Sequence, residues 1–366
     1  MSGIVRLNQL PEGSGNLTSD DIFMFMDDPS GSAVTKKISL SDLNAVMGGA
    51  GESVMVAGSG TGSIVGLPTA NTNTASGAYS VISGGKNNTA SGDYATVNGG
   101  FSNVASGLYS VVGGGGLPTK YAGLPGNTAA GDFSTVSGGL TNTANGVYSV
   151  VAGGVSNTTS SDGSYGTVSG GVVNAASGSK STVSGGQSNT ASGEYSIVGG
   201  GYTNTASGGY SVVVGGYSAV ADRTGMEAFA NGGFSANGDA QRVDFVLRIS
   251  TTSATPATMM LDGASSRLTI PSGKALFATV TVAGIINGGS KAVHYCRKVA
   301  IKNVAGTTAL IGTVSTVGTD VEDDAAYDVA ITADNTNDAL QINVTGKASE
   351  TIRWVAHVEG VEIAYG

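Results

Sequence analysis

Through the middle of the chain, polar, aromatic and β-branched positions recur every fifteen residues, not at the 3.6-residue period of a helix. The unit reads Gly-x-Tyr-Ser-x-Val-x-Gly-Gly-x-x-Asn-Thr-Ala-Ser, with copies starting at Gly77, Gly92, Gly107, Gly131, Gly146, Gly163, Gly178, Gly193 and Gly208. The spacing stretches to seventeen residues after Gly146 and to twenty-four after Gly107, so two insertions are tolerated. Five residues into each copy stands Ile82, Val97, Val112, Val136, Val151, Val168, Val183, Val198 or Val213, a column of β-branched residues that predicts a buried core. Two residues in, the ring column Tyr79, Tyr94, Tyr109, Phe133, Tyr148, Tyr165, Tyr195, Tyr210 is interrupted once, by Lys180.

The Gly-Gly pairs mark corners, because glycine takes positive φ without a Cβ penalty. Glycine and β-branched residues are poor helix formers, and glycine at every third position, as collagen requires, is absent. What remains is a parallel β-solenoid of about ten turns and roughly 45 Å, with two strands of about five residues per turn. Stacked turns put Asn88, Asn103, Asn142, Asn189 and Asn204 in one hydrogen-bonding ladder. So thin a turn leaves two or three inward side chains per strand, and the missing burial is expected from neighbouring chains.

The flanks pattern differently. Ile22 to Met26 is a short apolar run between acid pairs and predicts one buried strand, with Phe23 and Phe25 as candidates for attachment to a larger particle; Ser39 to Met47 predicts a short helix. Glycine runs at Gly48 to Gly51 and Gly58 to Gly62 read as a flexible joint, and the Pro-containing insertion after Gly113 as a bulging loop. Beyond Gly216 the register dissolves into a neck. Alternating runs at Val243 to Ile249, Ala275 to Val282, Val293 to Ile301, Tyr327 to Ile331, Ala339 to Val344 and Ile352 to Glu359 then predict an antiparallel β-sandwich. The resulting division is 1–50 attachment segment, 51–61 joint, 62–218 shaft, 219–239 neck and 240–366 tip.

Charge narrows the partners. Sixty glycines in 366 residues with only 12% charged residues describe an ordered, bland shaft, and a net charge of −9 excludes nucleic acid as a natural partner. The lone Cys296 forms no internal disulfide, no apolar stretch is long enough for a spanning helix, and no basic-then-apolar leader opens the chain, so synthesis in the cytoplasm is expected.

Catalytic, metal-binding and cofactor-binding residues are not identifiable from spacing. His294 and His357 fall in strands and read as solvent-facing, and the acids Asp320, Glu322, Asp323, Asp324, Asp328, Asp334 and Asp338 read as a solvated loop. Cys296 reads as a buried small residue and Trp354 as core. A non-enzymatic chain is the expectation, with Asp323, Asp324, Asn335 and Asn337 as candidate receptor contacts.

The units Gly92 to Gly100 and Asn189 to Gly200 resemble the head repeats of YadA-type trimeric adhesins, repeats also found in phage tail proteins. That resemblance covers about 140 residues and implies a homotrimeric left-handed parallel β-roll. Asp20 to Asp28 and Thr35 to Leu43 are similar to N-termini of phage tail-fibre proteins. Ser266 to Gly273, Asp323 to Val329 and Thr351 to Val358 resemble a C-terminal module of phage tail proteins. Together they imply a virion tail fibre, assembled in the host cytoplasm. Its N-terminus would meet a tail or capsid protein, and its tip a host-surface polysaccharide or outer-membrane protein. The alternatives are a capsid fibre, an enzymatic tailspike acting on surface polysaccharide, and a bacterial surface adhesin.

Overall fold

The computed structural model describes residues 21–27, 33–39, 54–67, 72–116 and 125–365. Strand β1 (Asp21–Asp27) pairs antiparallel with β2 (Ala33–Ser39), as the apolar run suggested. The helix expected beyond Ser39 and residues 117–124 of the large insertion lie outside the described residues. Strand β3 (Val54–Ala57) forms a hairpin with β4 (Ile64–Leu67). Its turn corrects the second half of the expected flexible joint: Gly58 donates to Ser63 O at 2.9 Å, and Ser59 and Gly60 donate to Ala75 O at 2.9 and 3.1 Å.

From β4 onward each repeat makes one turn of a parallel β-solenoid. Val81–Ile82 pairs in parallel with Thr96–Val97, and Thr89–Ala90 with Val104–Ala105. The register passes through both insertions, since Val111 pairs with Thr135 and Val150 with Thr167. The second of the two sheets holds ten strands. Strands are two residues long, shorter than expected, because corners occupy the rest of each turn. The residue after each Gly-Gly pair adds only an isolated bridge, such as Val155 to Val172.

Every residue of the Ile82 to Val213 column is fully buried, and so are Ala90, Ala105, Ala129, Ala144, Ala176, Ala191 and Ala206 from the other sheet. This burial is complete within one chain, which corrects the expectation that neighbours must supply it. A valine from one sheet and an alanine from the other leave no void for a third element to fill.

The corner opposite is closed by asparagine. Asn142 Nδ2 donates to Gly138 O at 2.9 Å and to Gly154 O of the next turn at 2.8 Å, and its Oδ1 accepts from Asn157 N at 2.9 Å. The same set repeats at Asn88, Asn103, Asn127, Asn157, Asn174, Asn189 and Asn204, all fully buried. The ladder therefore runs from side chain to backbone: it satisfies the carbonyl of one glycine and adds a second bond to that of the next turn, where Gly154 O also accepts Leu140 N at 2.9 Å. Asn127, Asn157 and Asn174 were not singled out from the sequence, although each stands at the same place in the repeat. The second glycine of a pair is fixed by this arrangement. Gly186 has φ +85°, and a Cβ there would stand 2.2 Å from Gly201 O and 2.6 Å from Asn189 Nδ2.

At the far end Val212–Tyr217 pairs in parallel with β5 (Glu227–Asn231), and β5 pairs antiparallel with β6 (Ala240–Thr251). The solenoid sheet thus continues into an antiparallel sheet in which β11 (Ile352–Ala364) lies between β6 and β7 (Lys274–Ile286), with β8 (Ala292–Val304) beyond β7. A second sheet centres on β10 (Ala339–Thr345), paired with β9 (Asp328–Asp334), Ala257–Thr258 and Leu268–Thr269. Phe245, Leu247, Val280, Val282, Tyr295, Ile342, Val344 and Trp354 are buried as expected of alternating strands.

The end of the ten-stranded sheet is capped by a side chain. Gln241 Oε1 accepts from Val220 N at 2.8 Å and its Nε2 donates to Val220 O at 2.9 Å, standing in for the peptide of a further turn. Beside it the fully buried Glu362 receives Arg223 Nη2 at 2.5 Å and Lys274 Nζ at 2.8 Å.

The acids after residue 319 are exposed or half-buried, as a solvated loop requires, and several are paired as well. Arg297 grips Asp320 with two bonds of 2.6 and 2.8 Å, and Tyr295 donates to Glu322 at 2.8 Å. Asp324 takes Lys291 at 2.8 Å and Lys347 at 2.7 Å; Glu350 takes Lys291 at 2.8 Å and Tyr327 at 2.6 Å. Lys291, with Lys347 second, holds the Asp324 carboxyl well below the usual carboxylate range; Arg297 lowers Asp320, and Lys291 lowers Glu350. Burial, reinforced by Glu350, pushes Tyr327 up to about 12.

Three outcomes are expected. Asn142→Ala leaves Gly138 O and Asn157 N without their partner and takes one of two donors from Gly154 O, and should cost roughly 2 to 3 kcal/mol in chemical denaturation. Ser196→Ala should be neutral or slightly stabilising, because the buried hydroxyls of Ser80, Ser110, Ser134, Ser181, Ser196 and Ser211 have no partner among the described residues and Ala95 already fills the equivalent place. Thermal melts against pH give the third. A carboxylate whose pKa is lowered by folding contributes stability above its ordinary value of 3.8 and loses it as pH falls through the depressed one; raised Tyr327 loses its contribution between its ordinary 10.0 and about 12. Melting temperature should therefore be level between about pH 5 and 9 and drop on both sides.

Candidate functional site

Strand alternation places the odd residues of β7 and β11 and the even residues of β6 and β8 on the outer face of the long sheet. Asp244 on β6 is the register partner of Glu359 on β11, Glu359 of Thr279 on β7, and Thr279 of Lys298 on β8. Adjacent rows are Arg242, Val361, Phe277, Ala300 on one side and Val246, His357, Thr281, Cys296 on the other. Over the first two rows lies an open groove of about 650 Å³, lined by Arg242, Asp244, Phe277, Thr279, Lys298, Glu359 and Val361. Its wall is formed by Ile311, Thr313 and Ser315. Ile311 N bonds Ala300 O at 2.7 Å, and Ser315 pairs with Lys298, which fixes that wall to β8.

At the groove's edge Asp244, His357 and Glu359 bring one ligand atom each within 4.8 Å of one another. His357 Nε2 lies 3.1 Å from Asp244 Oδ1, and Arg242 Nε lies 3.5 Å from Asp244 Oδ2 while its Nη2 reaches Glu227 at 3.0 Å. Glu359 makes no ion pair among the described residues. One imidazole and two carboxylates have the chemistry to hold a divalent cation, but Arg242 already supplies positive charge at Asp244. The alternative use is proton transfer and nucleophilic attack. Two carboxylates with oxygens within 4.8 Å of each other suit a retaining glycosidic double displacement. Lys298 and Phe277 add a cation and an exposed ring, groups that recognise sugars and their acidic substituents.

Neither member of this acid pair was singled out from the sequence, where they stand 115 positions apart, Asp244 against Glu359. Of the residues that were singled out, His357 joins this cluster and the candidate receptor contacts lie elsewhere. Asp323 Oδ2 accepts Ala292 N at 2.8 Å at the start of β8, beside Asp324. Asn335 Oδ1 accepts Thr308 N at 2.7 Å beyond the other end of β8, and Asn337 donates to Asp334 at 2.7 Å. The four candidates thus form two separate clusters. His294 and His357 are exposed. Cys296, expected to be buried, is half-buried on the outer face, and Trp354 is core, with Nε1 donating to Thr251 Oγ1 at 2.9 Å. The side chains of Phe23 and Phe25 lie outside the described residues.

No family model matches the chain, and no curated protein does. Solved structures similar to it are phage tailspikes. The tailspike of Acinetobacter baumannii bacteriophage Fri1, a capsular polysaccharide depolymerase, is 7% identical with a TM-score of 0.22; the alignment covers 78% of this chain and 61% of that one. This chain therefore spans about three fifths of that tailspike's length. The tailspike of Acinetobacter baumannii phage AM24 is 8% identical over 82% of this chain and 77% of its own, with a TM-score of 0.22. That of Acinetobacter phage vB_ApiP_P1 is 10% identical over 81% and 80%, with a TM-score of 0.18. None of these three is a YadA-type adhesin. The expectation of a non-enzymatic chain is corrected: a capsular polysaccharide depolymerase stands among these structures.

Proposed function

We propose that the chain is a phage tail protein that engages polysaccharide on the host surface and cleaves it in the groove over β6, β11 and β7. The observation that carries this reading is the cross-strand pair Asp244 and Glu359 at the edge of an open groove. Asp244, held by Arg242 and His357, attacks the anomeric carbon, and Glu359 gives its proton to the departing glycosidic oxygen. Glu359 then takes a proton from water, whose oxygen displaces Asp244 from the sugar, restoring both groups. Lys298 and Phe277 orient the chain of sugars, and the loops bearing Asp323, Asp324, Asn335 and Asn337 make outer contacts with the host surface.

In this reading the solenoid is the shaft, the two C-terminal sheets face each other as a β-sandwich tip, and the N-terminal strands meet the virion. Three copies stand side by side. Support comes from the outward column after the Gly-Gly pairs, where Val155, Val172, Tyr202 and Tyr217 remain exposed on a shaft with few charges.

Two measurements test the proposal. Against a panel of purified bacterial capsular and O-antigen polysaccharides, the protein should release reducing ends from at least one. Asp244→Asn and Glu359→Gln should each slow that release by about a hundredfold or more with melting temperature unchanged. Equal rates in the variants would rule the pair out. Light scattering should give three times 35.9 kDa, and a stable species of 35.9 kDa would remove the trimer.

A further inference from the structure

The ring column stands on an unusual backbone. Tyr79, Tyr94, Tyr109, Phe133, Tyr148, Tyr165, Lys180, Tyr195 and Tyr210 all have φ between +54° and +60°, a region that bulky residues rarely enter, and the column ends in Gly62 at +67° and Gly225 at +64°. Consecutive rings stack with centroids 4.6 to 5.3 Å apart from Tyr79 to Tyr165, and again at 5.1 Å between Tyr195 and Tyr210. Lys180 keeps the register, since its N–H donates to Ser164 O at 2.8 Å just as Tyr195 N donates to Ser179 O at 3.0 Å. One ring layer is therefore missing from an otherwise continuous stack.

The lysine side chain lies in this layer against one neighbour only. Its Nζ bonds Tyr195 Oη at 2.6 Å, sits 4.3 Å from that ring's centroid and lies 3.5 Å from Glu194. Tyr195 is thereby covered, at 39% exposure, while Tyr165 keeps 55%, close to Tyr79 at the end of the stack (54%) and above the interior rings, which run from 40 to 47%. The face of Tyr165 is open. Beside the gap, the residues preceding Tyr165 and Lys180 are Ser164 and Ser179, where neighbouring turns carry Asp93, Leu108, Asp132, Val147 and Glu194.

We propose that this gap binds one acidic pyranose ring of a polysaccharide. The sugar's C–H face lies on Tyr165 in the layer that a ring at position 180 would fill, its carboxylate accepts from Lys180 Nζ, and its hydroxyls meet Ser164 and Ser179. With the Lys180 side chain swung outward from Tyr195, two turn spacings of about 4.8 Å leave room for one ring between Tyr165 and Tyr195. The ammonium has three donors and the carboxylate needs one of them. The choice of a sugar rests on the polysaccharide reading given above, but the site is separate from the groove and is read independently of cleavage.

The test uses the full chain with Glu359→Gln, so that nothing is hydrolysed, and titrates oligomers of galacturonate, glucuronate and N-acetylneuraminate by calorimetry, with maltotriose as the neutral control. At least one acidic oligomer should bind and maltotriose should not. Lys180→Tyr, which completes the stack and should leave melting temperature equal or higher, should weaken binding at least tenfold, as should Tyr165→Ala. Binding unchanged by both Lys180→Tyr and Tyr165→Ala, equal binding of maltotriose, or no binding of any acidic oligomer would each overturn the proposal.

Discussion

The carboxamide of one asparagine per turn is the interaction on which the rest depends. A fifteen-residue turn needs sharp corners, sharp corners need glycine, and glycine corners leave carbonyls pointing into a space too small for water. Asn142 and its equivalents fill that space and bind the carbonyls of two successive turns at once. Each side chain therefore closes its own corner and fixes the axial register of the next turn. With register fixed, valine stacks on valine and ring on ring, and the inserted residues are pushed outside the ladder instead of shifting it.

The same logic explains how the solenoid passes into the C-terminal sheets. Parallel turns expose an unpaired edge, and two devices end it. Gln241 copies the hydrogen bonding of a peptide at Val220, and β5 turns the other sheet over into antiparallel pairing with β6. The long sheet that results has an inner face that packs and an outer face that does not, and alternation along β6 and β11 is what sets Asp244, His357 and Glu359 together on the outer one.

The solenoid was legible in the sequence because a repeat states its contacts many times over: the column from Ile82 to Val213 is buried throughout. Strand length and the completeness of the single-chain core were not, since both follow from how much of each turn the corners consume. Asn127, Asn157 and Asn174 were missed although equally readable, since Asn103 and Asn142 are also followed by departures from Thr-Ala-Ser. The groove was illegible for a different reason. Its acid pair is joined by strand register, which no spacing along the chain encodes, while the dense acids at Asp320 to Asp324 drew notice and turned out to hold lysines, an arginine, a tyrosine and a backbone amide. Density of a residue type marked structure; convergence of distant ones marked the candidate chemistry.

The central claim is that sugar is handled on the outer face of the long sheet. A cryo-EM or crystal structure of the Glu359→Gln chain with a bound oligosaccharide from a polysaccharide it depletes tests this most directly. The account expects a glycosidic oxygen between residues 244 and 359, with neighbouring rings along Phe277 and Lys298. Oligosaccharide bound only elsewhere on the molecule, with the groove empty at saturation, would contradict it.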